Sequence, residues 1–377
     1  MIILMHDNIS EHDRRVKAVC AKAHSHGVVP EVSVETGTRY DVVQINLKDG
    51  ESQRCHSLPD YPFRMDGVKE VIRRTPAKVT LQSNGNNHPH HIQIGSDIIG
   101  NGLPCVSVWG QCTIDREVAK TVSALADLGQ KHVRGGGIKP RSSAEGFRGF
   151  GSLGWRLLFE AARDNNMESV WTEVIESSDV DDVLRERDRT RFKGEVVLWI
   201  GARNTGCQKL LETLGTRDDV IVMMKNGLHE TNVDQLFRRA EFVVCGPMFW
   251  DEHGRFDEER SKSSGNERLI LCARGLQHFD THNSLRFYPN YDWVTQIHER
   301  SWVPACFDPS HIAGDRKKVA MVLSDALRRS PDVVMIETHH NPSQALCDKD
   351  QAVLPSDIPE LLEMIEQANT VLTQEVA

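Results

Sequence analysis

No Cys-x-x-Cys pair occurs in the chain. Its nine cysteines, Cys20, Cys55, Cys105, Cys112, Cys207, Cys245, Cys272, Cys306 and Cys347, are odd in number and scattered, which excludes a disulfide framework and points to a reducing compartment. No apolar run is long enough to span a bilayer, and the opening Met1-Ile-Ile-Leu-Met-His has neither the basic start nor the cleavage site of a signal peptide. A cytoplasmic protein without membrane attachment is expected. A basic surplus is also missing: the formal net charge is −9, which argues against nucleic acid as the main partner. A phosphorylated substrate would have to be held by local cations, against the sign of the whole protein. The charged fraction of 26% and hydrophobic fraction of 39% are ordinary for a globular protein. The 377 residues suffice for one large domain with a small companion.

The N-terminal stretch, 1–75, reads as the small companion. Ile2-Ile-Leu-Met is a strand; Ser10 opens a helix carrying Val16, Val19, Cys20 and Ala23 at helical spacing. Val29 to Val34 and Tyr40 to Leu47 form a strand pair around Glu35-Thr-Gly-Thr, and Asp66 to Thr75 offers a short helix leading into a strand. That order is ferredoxin-like α+β. Residues 76–103 form a linker; its histidines at 88, 90 and 91 sit in a turn-rich stretch without acidic or thiol partners and are read as linker, not as metal ligands.

From 104 to 377 apolar strands alternate with amphipathic helices, eight of each. The strands are Cys105 to Gly110, Lys131 to Gly135, Ser169 to Val174, Val196 to Gly201, Val220 to Met224, Leu269 to Ala273, Val303 to Phe307 and Asp332 to Ile336. Near-continuous hydrophobic strands joined by helical crossovers imply a parallel sheet buried on both faces. Eight units close a (β/α)8 TIM barrel. Phe242-Val-Val-Cys-Gly is read as the end of a helix, followed by a charged insertion from Asp251 to Arg268.

Val133-Arg-Gly-Gly-Gly-Ile-Lys-Pro-Arg-Ser-Ser organises the chain. Its glycines allow close backbone approach, and Arg134, Lys139 and Arg141 can fork onto phosphate or carboxylate oxygens. In a barrel, the residues after each strand meet on one rim. That rim collects Arg134, Lys139, Arg141, Arg203, Lys225 and Arg274, six cations whose crowding is costly without bound anions. The same rim offers the thiol of Cys112, the imidazole of His311 and the carboxylates of Glu337 and Asp348. One sulfur, one nitrogen and two oxygens suit a divalent transition metal, manganese, iron, cobalt or zinc, with an open position.

Arg134-Gly-Gly-Gly-Ile-Lys-Pro-Arg-Ser-Ser, Ile200-Gly-Ala-Arg-Asn, Cys272-Ala-Arg-Gly, Asp308-Pro-Ser-His-Ile-Ala-Gly and Met335-Ile-Glu-Thr-His-His-Asn-Pro, in that order, resemble the type I 3-deoxy-D-arabino-heptulosonate 7-phosphate (DAHP) synthases. The resemblance covers roughly residues 100 to 355, and the N-terminal unit resembles one subfamily's regulatory domain. It implies a transferase that joins phosphoenolpyruvate to erythrose 4-phosphate by a metal-dependent aldol-type condensation and releases phosphate, the first step of the shikimate pathway to the aromatic amino acids. By matching motif, Cys112, His311, Glu337 and Asp348 would be the metal ligands. Arg134, Lys139, Arg203, Lys225 and Arg274, with Asp308 among them, would hold phosphoenolpyruvate, and Arg141 and Ser142 the aldehyde's phosphate. Lys139, Glu173 and His311 would stand closest to the chemistry. A homo-oligomer, dimer or tetramer, is also expected; the N-terminal unit either binds an aromatic amino acid as allosteric effector, as the resemblance implies, or is a packing module that builds the oligomer.

The chain departs from the family pattern at several places. Trp109-Gly-Gln-Cys stands for Ala-Gly-Pro-Cys, so that Gln111 replaces a proline beside the thiol; Trp199 replaces a smaller or polar residue; Ala273 stands for a Glu. Asn226 sits where one branch has Arg, His282 where Arg is usual, and Lys349-Asp-Gln where Gly-x-Gln is usual. These positions fall at the pocket's periphery and aldehyde end. The chemistry is therefore better constrained than the aldehyde, and a different phosphorylated aldehyde, or a non-catalytic metabolite-binding regulator, are the competing expectations.

Overall fold

A computed structural model of the chain describes all residues except 37–40, 51–57, 73–80, 82–90, 142–143, 258–259, 262–264, 279–283 and 377. Its N-terminal part is an antiparallel sheet of β1 (Ile2–Met5), β2 (Val29–Thr36), β3 (Asp41–Lys48) and β4 (Val68–Ile72) in the order β2-β3-β1-β4. Helix α1 (Arg14–Ser25) buries Val16, Val19 and Ala23 against Ile3, Met5, Val43 and Ile45. Its N-cap is Asp13, not Ser10, because the Asp13 carboxylate accepts from Arg15 N at 2.9 Å and also holds the Arg15 guanidinium. Nor does a helix start at Asp66. The β-branched run Val68, Val71 and Ile72 instead pairs with β1, and the helical element described before it is a single 3-10 turn, Tyr61–Phe63.

Within 76–103, where the sequence suggests only a linker, β5 (Ile92–Ile94) and β6 (Asp97–Ile99) form a hairpin. Ile92, Ile94 and Ile99 pack into the cluster that fills the barrel, with Val108, Trp171, Val197 and Ile270. The hairpin is pinned at the base by Asp97, whose Oδ2 lies 2.9 Å from His132 Nε2, and by Ser96 N donating to Glu168 Oε2 at 2.5 Å. It closes the barrel floor. His91, next to it, is exposed; residues 88 and 90 lie outside the described residues.

Eight parallel strands close the barrel: β7 (Val106–Thr113), β8 (His132–Gly136), β9 (Ser169–Val174), β10 (Glu195–Ile200), β11 (Ile221–Lys225), β12 (Leu269–Ala273), β13 (Ala305–Phe307) and β14 (Val333–Glu337), which returns to β7. Around them run α2 (Val118–Asp127), α3 (Ser152–Asp164), α4 (Ser177–Thr190), α5 (Gln208–Gly215), α6 (Val233–Cys245), α7 (Asp292–Arg300), the short α8 (Pro309–Ala313), α9 (Arg316–Leu327) and α10 (Ile358–Val376). Alternate strand residues face opposite ways: Trp171, Trp199, Met223 and Met335 point to the interior, whereas Trp109, Val170, Leu198 and Ala273 pack under the helices. Helix α6 ends at Gly246, as Phe242-Val-Val-Cys-Gly implied. At the β7 exit, Gly110 has φ 149° and a Cβ there would lie 2.0 Å from Arg134 O. Only glycine lets β7 and β8 approach so closely at their site ends. No described helix is long and apolar enough to cross a membrane.

Candidate metal centre and cation nest

β7 delivers Cys112, α8 delivers His311, β14 ends on Glu337, and the following loop brings Asp348, whose φ is +47°. One donor atom from each of the four lies within 4.8 Å of the others. Cys112 Sγ donates to Asp348 Oδ2 at 3.0 Å, and Lys139 Nζ bonds both that oxygen, at 2.7 Å, and the Cys112 sulfur. His311 Nε2 faces Glu337 Oε1 at 3.6 Å. Its Nδ1 is 2.8 Å from Asp308 Oδ2, which fixes the ring orientation and turns Nε2 to the cluster.

The electrostatics match this donor set. Burial pushes His311 down to about 4, so the imidazole is neutral, with a lone pair to offer. Burial pushes the Cys112 thiol well up, helped by Cys347 and Glu337 and opposed by Lys139; a bound cation is what would lower it. Glu337 is fully buried, and its Oε1 has no hydrogen-bond partner. A buried carboxylate oxygen without a hydrogen bond, facing a sulfur, an imidazole and a second carboxylate and only partly compensated by Arg134 at 3.4 Å, fits an ion.

The cations gather beside it. Arg134 is 1% exposed, its Nη1 3.4 Å from Glu337 Oε1, and neither its Nε nor its Nη1 is hydrogen-bonded. Lys225 Nζ bonds Asp308 Oδ2 at 2.6 Å. Arg274 has a bare Nη1, and burial lowers it to about 10 despite Asp308. Burial opposes the charge of Lys139, yet Cys112, Cys347 and Asp348 raise its pKa well above the ordinary value. Buried guanidinium N–H groups with no acceptor define a place for an anion. Glu173 is buried too; burial raises its pKa against the pull of Lys139, Lys225 and Arg134. Its carboxyl lies over Gly201, where a Cβ would come within 2.0 Å of Oε1.

Arg203 and Arg141 are exposed and stand nearer solvent than the four buried cations. Ser142 and His282 lie outside the described residues. Trp109, read from sequence as bulk beside the thiol, is instead buried under the helices, its Nε1 bonded to Ser107 Oγ at 2.9 Å. Gln111 faces away from the pocket as well: it accepts from Asp115 N at 2.9 Å and donates to Thr121 Oγ1 at 3.1 Å, pinning the loop that a proline would stiffen. Trp199 does belong to the site, its ring 4.9 Å from the Arg134 guanidinium carbon and 5.5 Å from Lys225 Nζ. Sequence reasoning missed Arg286 and Gln351, which bond to the carboxylates of the cluster.

The fold and site together define a (β/α)8 barrel that sets a metal-type donor cluster beside an anion nest at its C-terminal rim. Within that class the chain belongs to the DAHP synthetase I family, which it matches over residues 79–374. It is 30% identical, over 94% of its length and 93% of the relative's, to phospho-2-dehydro-3-deoxyheptonate aldolase of Thermotoga maritima. A crystal structure of that organism's DAHP synthase superimposes with a TM-score of 0.66 at 26% identity, covering 98% of this chain and 97% of the other. At 24% identity, over 75% of this chain and 98% of the relative, it is also similar to 2-dehydro-3-deoxyphosphooctonate aldolase of Geobacter sp. strain M21.

Proposed function

We propose that the protein condenses phosphoenolpyruvate with erythrose 4-phosphate, giving DAHP and inorganic phosphate, the first step of the shikimate pathway. The observation that carries this reading is the pairing of bare atoms: the unbonded Oε1 of Glu337, suited to a cation, beside the unbonded nitrogens of Arg134 and Arg274, suited to an anion. Cys112, His311, Glu337 and Asp348 hold a divalent ion, manganese, iron, cobalt or zinc, which when bound polarises the aldehyde carbonyl as a Lewis acid.

Arg134, Lys139, Lys225 and Arg274, with Arg203 at the rim, bind the phosphate and carboxylate of phosphoenolpyruvate, and Asp308 holds Lys225 and His311 in place. Arg141 and Ser142 take the aldehyde's phosphate. Two anions that would repel in water are thereby held close enough to react. The enol carbon forms the new C–C bond to the aldehyde carbon, water adds to the carbon that carried the phosphate, and phosphate departs among cations that stabilise its charge. Glu173 and Lys139 are the side chains placed to hold or pass the protons of the water step.

A second aldehyde is favoured by one group of observations: Lys349, where the family pattern has Gly, is exposed beyond Asp348, and an octulosonate-type relative is similar over 75% of this chain. The cradle's Lys139-Pro-Arg supports erythrose 4-phosphate. The protein works in the cytoplasm as a homo-oligomer, a dimer or tetramer, and its N-terminal unit answers to an aromatic amino acid. The test is phosphate release from phosphoenolpyruvate with a panel of aldose phosphates, with and without chelator. Chelator-sensitive release with erythrose 4-phosphate is expected. Activity with arabinose 5-phosphate alone would transfer the reading to the other aldehyde, and tight phosphoenolpyruvate binding without any turnover would make the protein a regulator.

A further inference from the structure

We propose that Arg286 is a positioning residue for the metal site, acting with Gln351 as a bridge that turns one oxygen of Glu337 and one of Asp348 toward the ion. This rests on the metal-centre reading above. Arg286 belongs to none of the five motifs that carry the family resemblance. Its Nη1 donates to Asp348 Oδ1 at 2.9 Å and to Gln351 Oε1 at 2.7 Å. Gln351 Nε2 in turn donates to Glu337 Oε2 at 2.7 Å. A single guanidinium nitrogen thus controls the outer oxygen of both carboxylates.

The inner oxygens face the cluster, where Lys139 Nζ also bonds Asp348 Oδ2 at 2.7 Å and Arg134 Nη1 stands 3.4 Å from Glu337 Oε1. Asp348 Oδ2 lies 3.0 Å from Cys112 Sγ, and Glu337 Oε1 lies 3.6 Å from His311 Nε2 with no hydrogen bond. The terminal torsion of a carboxylate is broad, so a donor on one oxygen decides which oxygen is presented and in what plane. Partners of this kind behind the ligands orient a metal site. Asp348 needs such a hold, because its backbone sits in the left-handed region at φ +47°.

The bridge is itself anchored to the element that carries His311. Arg286 N donates to Ile312 O at 3.0 Å, and a Cβ on Gly314 would lie 2.5 Å from Arg286 Cβ, so the glycine after α8 makes the room for this side chain. The guanidinium carbon stands 5.4 Å from the Phe287 ring. The Arg286 side chain is 38% exposed, so it contributes little to the core; its side-chain hydrogen bonds go to Asp348 and to Gln351.

The experiment is calorimetric titration of Mn2+ and of Zn2+ into the metal-stripped full-length protein, for wild type, Arg286→Ala, Arg286→Lys, Gln351→Leu and the Arg286→Ala/Gln351→Leu double variant. Arg286→Ala and Gln351→Leu should each weaken binding about 10- to 100-fold. The double variant should lose far less than the product of the two, because they act in one chain of bonds. Arg286→Lys should recover part of the loss, and excess metal should restore turnover in Arg286→Ala while its metal-free thermal midpoint stays at the wild-type value. Wild-type-like affinity in Arg286→Ala, multiplicative losses in the double variant, or a metal-free midpoint that drops with the mutation would each overturn the inference. A wild type that binds neither ion would remove the metal reading as well, which separates the two failures.

Discussion

The indole ring of Trp199 lies 4.9 Å from the guanidinium carbon of Arg134, deep in the barrel and 2% exposed. Lys225 Nζ stands 5.5 Å from the same ring. Two cations that would otherwise face a bare apolar floor rest on a π surface, each contact being worth about 0.5–2 kcal/mol. Trp199→Leu should therefore raise KM for phosphoenolpyruvate about tenfold or more, with a smaller change in kcat, since the lost interaction serves binding in both ground and transition states. Trp199→Phe, which keeps a ring, should lie between. Steady-state kinetics decide it, and an unchanged KM in the leucine variant contradicts the role.

Gly201→Ala acts on Glu173 without touching it chemically. The new Cβ would fall 2.0 Å from Glu173 Oε1 and must displace the carboxyl. The expected result is a fall in kcat of about 100-fold, in the range for a displaced proton-transfer group, against a stability loss of about 1–3 kcal/mol from overpacking. Kinetics and urea unfolding on the same sample separate the two. A variant that unfolds readily but turns over normally would exclude Glu173 from the proton steps.

Glu230 gives a pH signature away from the site. Burial pushes its carboxyl up to about 7, although Arg239 lies 2.6 Å away and pulls the other way. Because the folded value lies above the unfolded one, its stabilising contribution is complete below the ordinary carboxylate pKa of about 4.3 and is lost as pH rises through about 7. Wild type should lose stability relative to Glu230→Gln between pH 5 and pH 8, by an amount on the order of 3 kcal/mol. Urea unfolding of both proteins at the two pH values measures it; a constant difference would show that Glu230 ionises normally.

The N-terminal unit leans on the charged insertion after α6. The Tyr61 and Phe256 rings are 4.8 Å apart, Asp66 pairs with Arg255 at 3.2 Å, and Arg64 O accepts from Phe256 N at 3.1 Å. None of these contacts reaches the metal-type cluster. Removing residues 1–75 should leave condensation in place and abolish inhibition by phenylalanine or tyrosine. Inhibition assays before and after truncation test this, and equal inhibition in both forms would relocate the effector site to the barrel.

What was legible in the sequence follows the strength of each local signal. Ser169–Val174 and Leu269–Ala273 were readable to the residue, because an apolar run bounded by polar turns leaves little freedom in where a buried strand begins. Cys112, His311 and Glu337 were traceable because each sits at or a few residues from a strand end, and the barrel fixes where those ends go; Asp348, eleven residues past β14, was reached through the family resemblance. The β5–β6 hairpin was hidden: three-residue strands in a turn-rich stretch give too short an alternation to separate from a loop. Arg286 was hidden for another reason. It lies beyond 279–283, far along the chain from the carboxylates it serves, and no glycine or strand end marks it. The orientation of Trp109 depended on one residue of register, which composition does not disclose.

The hairpin at the barrel floor bears on polarity. With Ile92, Ile94 and Ile99 packed into the cluster that fills the barrel, apolar side chains plug the lower end, opposite the rim that carries the cations. Arg134 and Lys225 are buried toward that plugged end while Arg141 is exposed at the rim, so the cations grade from sealed interior to open water along one strand-end loop system.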